Sequence, residues 1–126
     1  MVIYGIGIDF VEVNRVREII FRSGDRFAER ILSRFELTRY KSSKYPIHFL
    51  AKRFAVKEAA SKAFGTGVSE GLFFRHFEVL HDTYGKPVLR LLSYAKSLFE
   101  KLSLSRTHVT LSDDNYYVFA VVIFER

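Results

Sequence analysis

Cysteine is absent from this 126-residue sequence. That excludes disulfides and thiolate-bound metals, and it makes a reducing, cytoplasmic compartment the natural one. Long apolar runs are missing as well. The longest, residues 116–124, is far too short to cross a bilayer as a helix, so no membrane partner is expected. The opening Met1-Val2-Ile3-Tyr4 is interrupted by two glycines and Asp9 before an apolar signal region can form, and no secretory signal is expected. Repeats, low-complexity stretches and linkers are lacking, so residues 1–126 read as a single domain. His48, His76, His81 and His108 have no His-x-x-x-His spacing, which argues against zinc.

What is present fits a globular protein with an anionic partner. Hydrophobic residues make up 48% of the chain and include 13 Phe, enough apolar surface to suggest that some is buried between subunits. Twenty Lys and Arg against 14 Asp and Glu give a net charge of +6. Such a balance suits nucleic acid, a phosphorylated cofactor or an acidic protein, and composition does not choose among them.

The pattern predicts an α+β domain, an antiparallel sheet packed by helices. Residues 2–9 read as a strand with Val2, Tyr4, Ile6 and Ile8 on one face and Ile3, Gly5, Gly7 and Asp9 on the other. The glycine face is nearly bare, so a ligand or a neighbouring helix can approach its backbone closely. A helix follows over about 12–22, with Val13, Val16 and Ile20 inward and Arg15, Ile19 and Arg22 on another stripe. Gly24 ends it, Asp25 can cap a short helix through Leu32, and Ser33-Arg34-Phe35-Glu36 has capping-box form. After a loop at 41–46, residues 47–64 form a helix whose face of Val56, Ala59, Ala60, Ala63 and Phe64 can lie close against a sheet. A strand is predicted over 74–80, a turn over 82–87, a return strand over 88–91 and a helix over 93–102. A closing hairpin pairs 108–112 with 116–125, and its last strand is apolar on both faces, so each face should be covered.

Two segments concentrate chemistry. One is Gly5-Ile6-Gly7-Ile8-Asp9; the other runs from Arg53-Phe54-Ala55 through Lys57-Glu58 and Lys62 to Gly65-Thr66-Gly67. Two carboxylates, Asp9 and Glu58, can share a hard divalent cation beside lysines, a set suited to a phosphate-bearing substrate. Glu58 and Lys62, four apart, also fit an ordinary exposed helix pair worth about 0.3–0.5 kcal/mol. The glycines after the helix can present backbone N–H groups to phosphate oxygens. Because they follow the helix, this is no Walker loop and nucleotide-triphosphate hydrolysis is not indicated.

These segments resemble those of the holo-[acyl-carrier-protein] synthase family, the small phosphopantetheinyl transferases. The family's Gly-Ile-Gly-x-Asp is matched at Gly5 to Asp9, its helical arginine at Arg15, and its central signature at every fixed position from Arg53 to Gly67. Its Gly-Lys-Pro turn is matched by Gly85-Lys86-Pro87. The resemblance implies the 4'-phosphopantetheinyl transferase fold and a trimer with sites between subunits. It implies transfer of the 4'-phosphopantetheine arm from coenzyme A to a serine of apo-acyl carrier protein, in the service of fatty-acid synthesis. Mg²⁺ would be held by Asp9 and Glu58, with Glu58 and Lys62 as catalytic residues. Coenzyme contacts are expected at Arg53, Lys62, Gly65, Thr66, Gly85, Lys86 and Pro87, with Lys44 a weaker candidate. The acidic carrier would dock on Arg15, Ile19 and Arg22. Glu58 and a water on the metal are both open as acceptor of the serine proton.

One position departs from the family: Asp113 stands where members usually carry histidine. Asp113 can add a metal ligand, repel phosphate, or simply build a turn with Asp114 and Asn115. Two other functions stay in view. A catalytically inactive relative could serve as an assembly partner. A small basic nucleic-acid-binding domain could use Arg26-Phe27, Arg34-Phe35, Arg39-Tyr40 and Phe73-Phe74-Arg75, although these pairs scatter over several elements and match no recognition motif.

Overall fold

The structure is a computed structural model that describes residues 1–126. Strand β1 (Ile3–Glu12) runs directly into helix α1 (Val13–Ser23), and two short helices follow, α2 (Arg26–Ile31) and α3 (Arg34–Lys41). The long helix α4 (Pro46–Phe64) crosses the molecule; β2 (Phe77–His81), β3 (Pro87–Leu91), α5 (Ser93–Lys101), β4 (Arg106–Asp113) and β5 (Tyr117–Glu125) complete the chain. The antiparallel strands divide into two sheets, a three-stranded one in the order β1-β5-β4 and a hairpin of β2 with β3. The expectation of one antiparallel sheet packed by helices thus holds in class, with the second hairpin standing apart.

Local signals explain most boundaries. Gly24 at φ 61° ends α1, and Gly65 at φ 91° ends α4, each in backbone territory where a Cβ is penalised. Pro46 opens α4 at the position where its missing N–H costs nothing. The Ser33–Glu36 capping box forms in both directions. Two expectations need correction. Asp25 precedes α2 without a side-chain capping bond; its carboxylate instead accepts from the Tyr40 hydroxyl at 3.5 Å. The strand expected from residue 74 starts at Phe77, because Phe74–His76 makes a 3-10 turn in which the Phe73 N–H donates to His76 Nδ1.

The core lies where α4 packs on the inner face of β1-β5-β4. Register places Gly7 opposite Val122 and Asp9 opposite Ala120, so glycines and Asp9 face α4 together with Val118, Val122 and Phe124. The bare face of β1 is therefore closed by a helix and is not open to a ligand. A Cβ on Gly7 would overlap the Ala59 carbonyl oxygen, and one on Gly5 would overlap that of Ala63. Glycine in the strand and alanine on the helix are two halves of one close contact.

The opposite face is bare in a different sense. Ile6, Ile8 and Phe10 of β1 are about 60% exposed, and Phe119 of β5 is 46% exposed. Phe10 and Phe119 stack with ring centroids 5.7 Å apart, which makes the patch continuous across both strands. Within the chain only one face of β5 is fully covered; on the other, Tyr117 and Phe119 are exposed and Val121 and Ile123 are half-buried. Gly7→Ala should destabilise the protein by at least about 2 kcal/mol, since all three atoms in conflict belong to backbone. Urea unfolding checks this, and an unchanged midpoint would refute the packing account.

Candidate functional site

Asp9 sits near the end of the β1 stretch that faces α4, and Glu58 and Lys62 lie one turn apart on α4 itself. The close strand–helix contact brings them together. Lys62 Nζ donates to Asp9 Oδ1 at 2.9 Å and to the Ile8 carbonyl at 3.1 Å. The ordinary Glu58–Lys62 helix pair is not what forms: Lys62 reaches across to the strand. Asp9 and Glu58 line one cleft of about 530 Å³, together with Phe10, Arg15, Ile19, Phe27 and Phe54.

Electrostatics at this cleft is poised for a cation. Burial, and secondly the Asp9 carboxylate, raise the Glu58 pKa above its ordinary 4.5, with Lys62 pulling partly the other way. Two like charges in a half-buried cleft with one ammonium are incompletely neutralised. The donors are hard oxygens, two carboxylates without a third acidic or histidine ligand nearby. That set fits Mg²⁺, which takes one or two carboxylates and fills its remaining positions with water and substrate phosphate.

Other expected site residues have different surroundings. Lys57 belongs to the core and not to the polar cleft. It is fully buried, donates to the Ile31 carbonyl at 2.7 Å and pairs with Glu36, and its pKa is lowered to about 8, chiefly by burial. Ser61 is also buried, its hydroxyl turned back to the Glu58 carbonyl. The Gly65 and Gly67 amides donate to the carbonyls of Lys62 and Ser61. They therefore cap the helix and are not free to cradle phosphate, which corrects the expectation for these two N–H groups. Thr66 is exposed, and its hydroxyl donates to the Gly67 carbonyl at 3.1 Å.

Arg53 lines a separate cleft of about 430 Å³ with Phe35, Arg39, Phe49, Val79, Leu80 and His81. Gly85, Lys86 and Pro87 form the β2–β3 turn, where the Asp82 carboxylate accepts from the Tyr84 and Lys86 amides at 2.8 and 2.9 Å. Lys44 is exposed in the loop before α4. Within one chain, then, Asp9, Glu58 and Lys62 converge, whereas Arg53 and the Gly85-Lys86-Pro87 turn line other parts of the surface. At the β4–β5 turn, Asp113 Oδ2 lies 3.5 Å from Lys52 Nζ, and Asp114 accepts from the Tyr116 and Tyr117 amides. Those two backbone bonds hold the Asp114 carboxyl below its usual pKa, so turn chemistry accounts for Asp114.

Sequence reasoning missed Glu36 beyond its capping role. It is 1% exposed; one oxygen accepts from Ser33 N–H and pairs with Lys57, and the other accepts from Val79 N–H at 2.8 Å. The available signal was Lys57 itself, a lysine set four residues after Arg53 and three before Ala60 on the inward stripe of α4.

The sequence model described as the 4'-phosphopantetheinyl transferase superfamily matches residues 5–122. Holo-[acyl-carrier-protein] synthase of Blochmanniella floridana is 55% identical over 123 residues, 98% of each chain. That of Escherichia coli is 54% identical over 125 residues, 99% of each chain. This chain belongs to the holo-[acyl-carrier-protein] synthase family. The fold agrees: the crystal structure of the Neisseria meningitidis synthase superposes with a TM-score of 0.95 at 38% identity, covering 99% of this chain and all of that one. A Bacillus anthracis synthase, solved in complex with CoA (3',5'-ADP), gives a TM-score of 0.82 at 36% identity over 98% of this chain and 96% of that one.

Family membership makes the chain a phosphopantetheinyl transferase and disfavours both the inactive relative and the nucleic-acid-binding domain. No helix is long and apolar enough to cross a membrane. A raised carboxyl pKa has a consequence that is independent of turnover. Glu58 contributes stability that is present below pH 4.5 and is lost as pH rises through its elevated value. In metal-free protein at pH 7, Glu58→Gln should therefore be slightly more stable than wild type, by less than about 1 kcal/mol because solvent screens a half-exposed group. Thermal melts in chelator check it; a lower midpoint would contradict the like-charge account.

Proposed function

We propose that this chain transfers the 4'-phosphopantetheine group of coenzyme A to a serine of apo-acyl carrier protein, with Mg²⁺ held by Asp9 and Glu58. The observation that carries the reading is the meeting of Asp9 and Glu58 at one cleft, with Lys62 bonded to Asp9. In the reaction the serine Oγ bonds to the pantetheine-side phosphorus, the bond from that phosphorus to the bridging oxygen breaks, and adenosine 3',5'-bisphosphate leaves with the electron pair. Bound Mg²⁺ would supply positive charge to the pyrophosphate oxygens.

The chain's own side chains do the rest. Glu58, which lines the cleft together with Arg15 and Ile19, takes the serine proton. Lys62, tethered to Asp9, carries positive charge beside the leaving group and neutralises it as it departs. Arg53 receives the coenzyme's 3'-phosphate, and Thr66 and the Gly85-Lys86-Pro87 turn contact the coenzyme further out. Arg15 and Ile19 line the same cleft as the two carboxylates, and Arg22 follows on the same helix, so an acidic carrier helix docked on α1 delivers its serine to Glu58.

Arg53 and Glu58 open into different clefts of one chain, and the outer sheet face leaves Ile6, Ile8, Phe10 and Phe119 in water. Both facts support a homotrimer in which each site is completed between neighbouring subunits, the apolar sheet face being buried in the contact. The enzyme then acts in the cytoplasm, in fatty-acid synthesis.

Incubation with coenzyme A, Mg²⁺ and apo-carrier protein should add one phosphopantetheine mass to the carrier, read by mass spectrometry. Asp9→Ala should lower the rate by at least about 100-fold without unfolding the chain, and chelation of the metal should abolish transfer. Full activity of Asp9→Ala would reject the assignment. Ile8→Asp should convert the trimer to monomer in sedimentation velocity and remove activity with it; a variant that stays trimeric would reject the sheet-face contact.

A further inference from the structure

Arg53 is held by an aromatic ring and a carboxylate. Its guanidinium carbon lies 3.6 Å above the centre of the Phe49 ring, and its Nε lies 3.6 Å from Glu36 Oε2. The residue is 8% exposed, yet Nε is buried with no hydrogen-bond partner, an unusual state for a guanidinium in a core. Most of the acceptor capacity of Glu36 is engaged elsewhere. Ser33 N–H and Lys57 occupy Oε1, and Val79 N–H occupies Oε2. The carboxylate therefore attracts Arg53 by charge on the buried Nε side, and no hydrogen bond within the chain engages the Nη groups. Arg39 and His81 line the same cleft, so an anion entering it meets positive or neutral donors and no carboxylate.

We propose that Glu36 is a positioning residue for coenzyme binding: together with the Phe49 ring it clamps the Arg53 guanidinium, Nη donors free, for the phosphate monoester at the coenzyme's 3' position. The inference rests on the reading above that Arg53 meets that phosphate. The same carboxylate ties α3 to α4 through Lys57 and to β2 through Val79, so it fixes the walls of the cleft as well as its central cation. Phe49 supplies the second constraint, because a cation over an aromatic face resists lateral displacement.

The test compares coenzyme A with 3'-dephospho-coenzyme A in steady-state assays at fixed carrier protein. Glu36→Gln and Phe49→Leu should each raise KM for coenzyme A by about tenfold. In both, KM for the dephospho form should change by less than about twofold and kcat should stay near wild type. Glu36→Asp, which keeps the charge, should recover most of the loss. Phe49→Leu leaves the Glu36–Lys57 pair untouched, so it decides the matter together with Glu36→Asp if melting curves show that Glu36→Gln does not fold. Equal losses with both coenzymes, or none with coenzyme A, would overturn the clamp. Arg53→Gln separates the two levels. If it discriminates between the coenzymes while the Glu36 and Phe49 variants do not, the 3'-phosphate reading stands and the clamp falls; if it does not discriminate, both fall.

Discussion

A strand and a helix can approach closely only where neither carries bulk between them. In this protein that condition is met by Gly5 and Gly7 on β1 against Ala59 and Ala63 on α4, and the rest of the site depends on it. Close contact lets Lys62 reach the Ile8 carbonyl and the Asp9 carboxylate, and it lowers Glu58 into the cleft that Asp9 lines. Had either glycine a side chain, α4 would stand off by the width of a methyl group or more. Burial of Glu58 would fall and the carboxylates would separate, and the two causes that raise its pKa would weaken together. The glycines thus shape the candidate site through packing alone.

A second constraint is buried charge. Lys57, Glu36 and Glu78 are all nearly inaccessible, and Ser33 joins them by donating its hydroxyl to Glu78 at 2.6 Å. Desolvation of such groups costs more than their attraction returns unless each is bonded several times over. Here the requirement is met by backbone partners: the Ile31 carbonyl for Lys57, the Ser33 and Val79 amides for Glu36. Removing one member would strand the others, so the network fixes the angle at which α2, α3 and β2 meet α4. It also sets Arg53 at the mouth of a different cleft from that of Glu58. Two faces of the same helix thus open on two separate clefts.

Patterns of short range were legible in the chain. The capping box at Ser33, the left-handed Gly65, the alanine stripe of α4 and the turn at Gly85 each follow from local sterics and hydrogen bonding, and each stands where the sequence put it. Less legible were features set by partners distant in sequence. Lys57 resembled one more polar residue of a reactive cluster until Glu36, 21 positions away, claimed it. The glycine face of β1 admitted a ligand or a helix equally well, and α4 filled it. The loop after α4 had the composition of a phosphate cradle, but its Gly65 and Gly67 amides turn back onto helix carbonyls that the ended helix would otherwise leave unpaired.

By itself, then, the sequence determined the family and nominated Asp9, Glu58 and Lys62 as its site, because they stand in ordered motifs that can be read along one dimension. Only tertiary structure decided which of them meet. Lys62 chose Asp9 over its helical neighbour Glu58, Lys57 went to the core, and Arg53 opened on another cleft. The physical reason is that helix spacing offers each side chain several partners of similar worth. The choice among them follows from how closely strand and helix pack and from which charges that packing seals away from water.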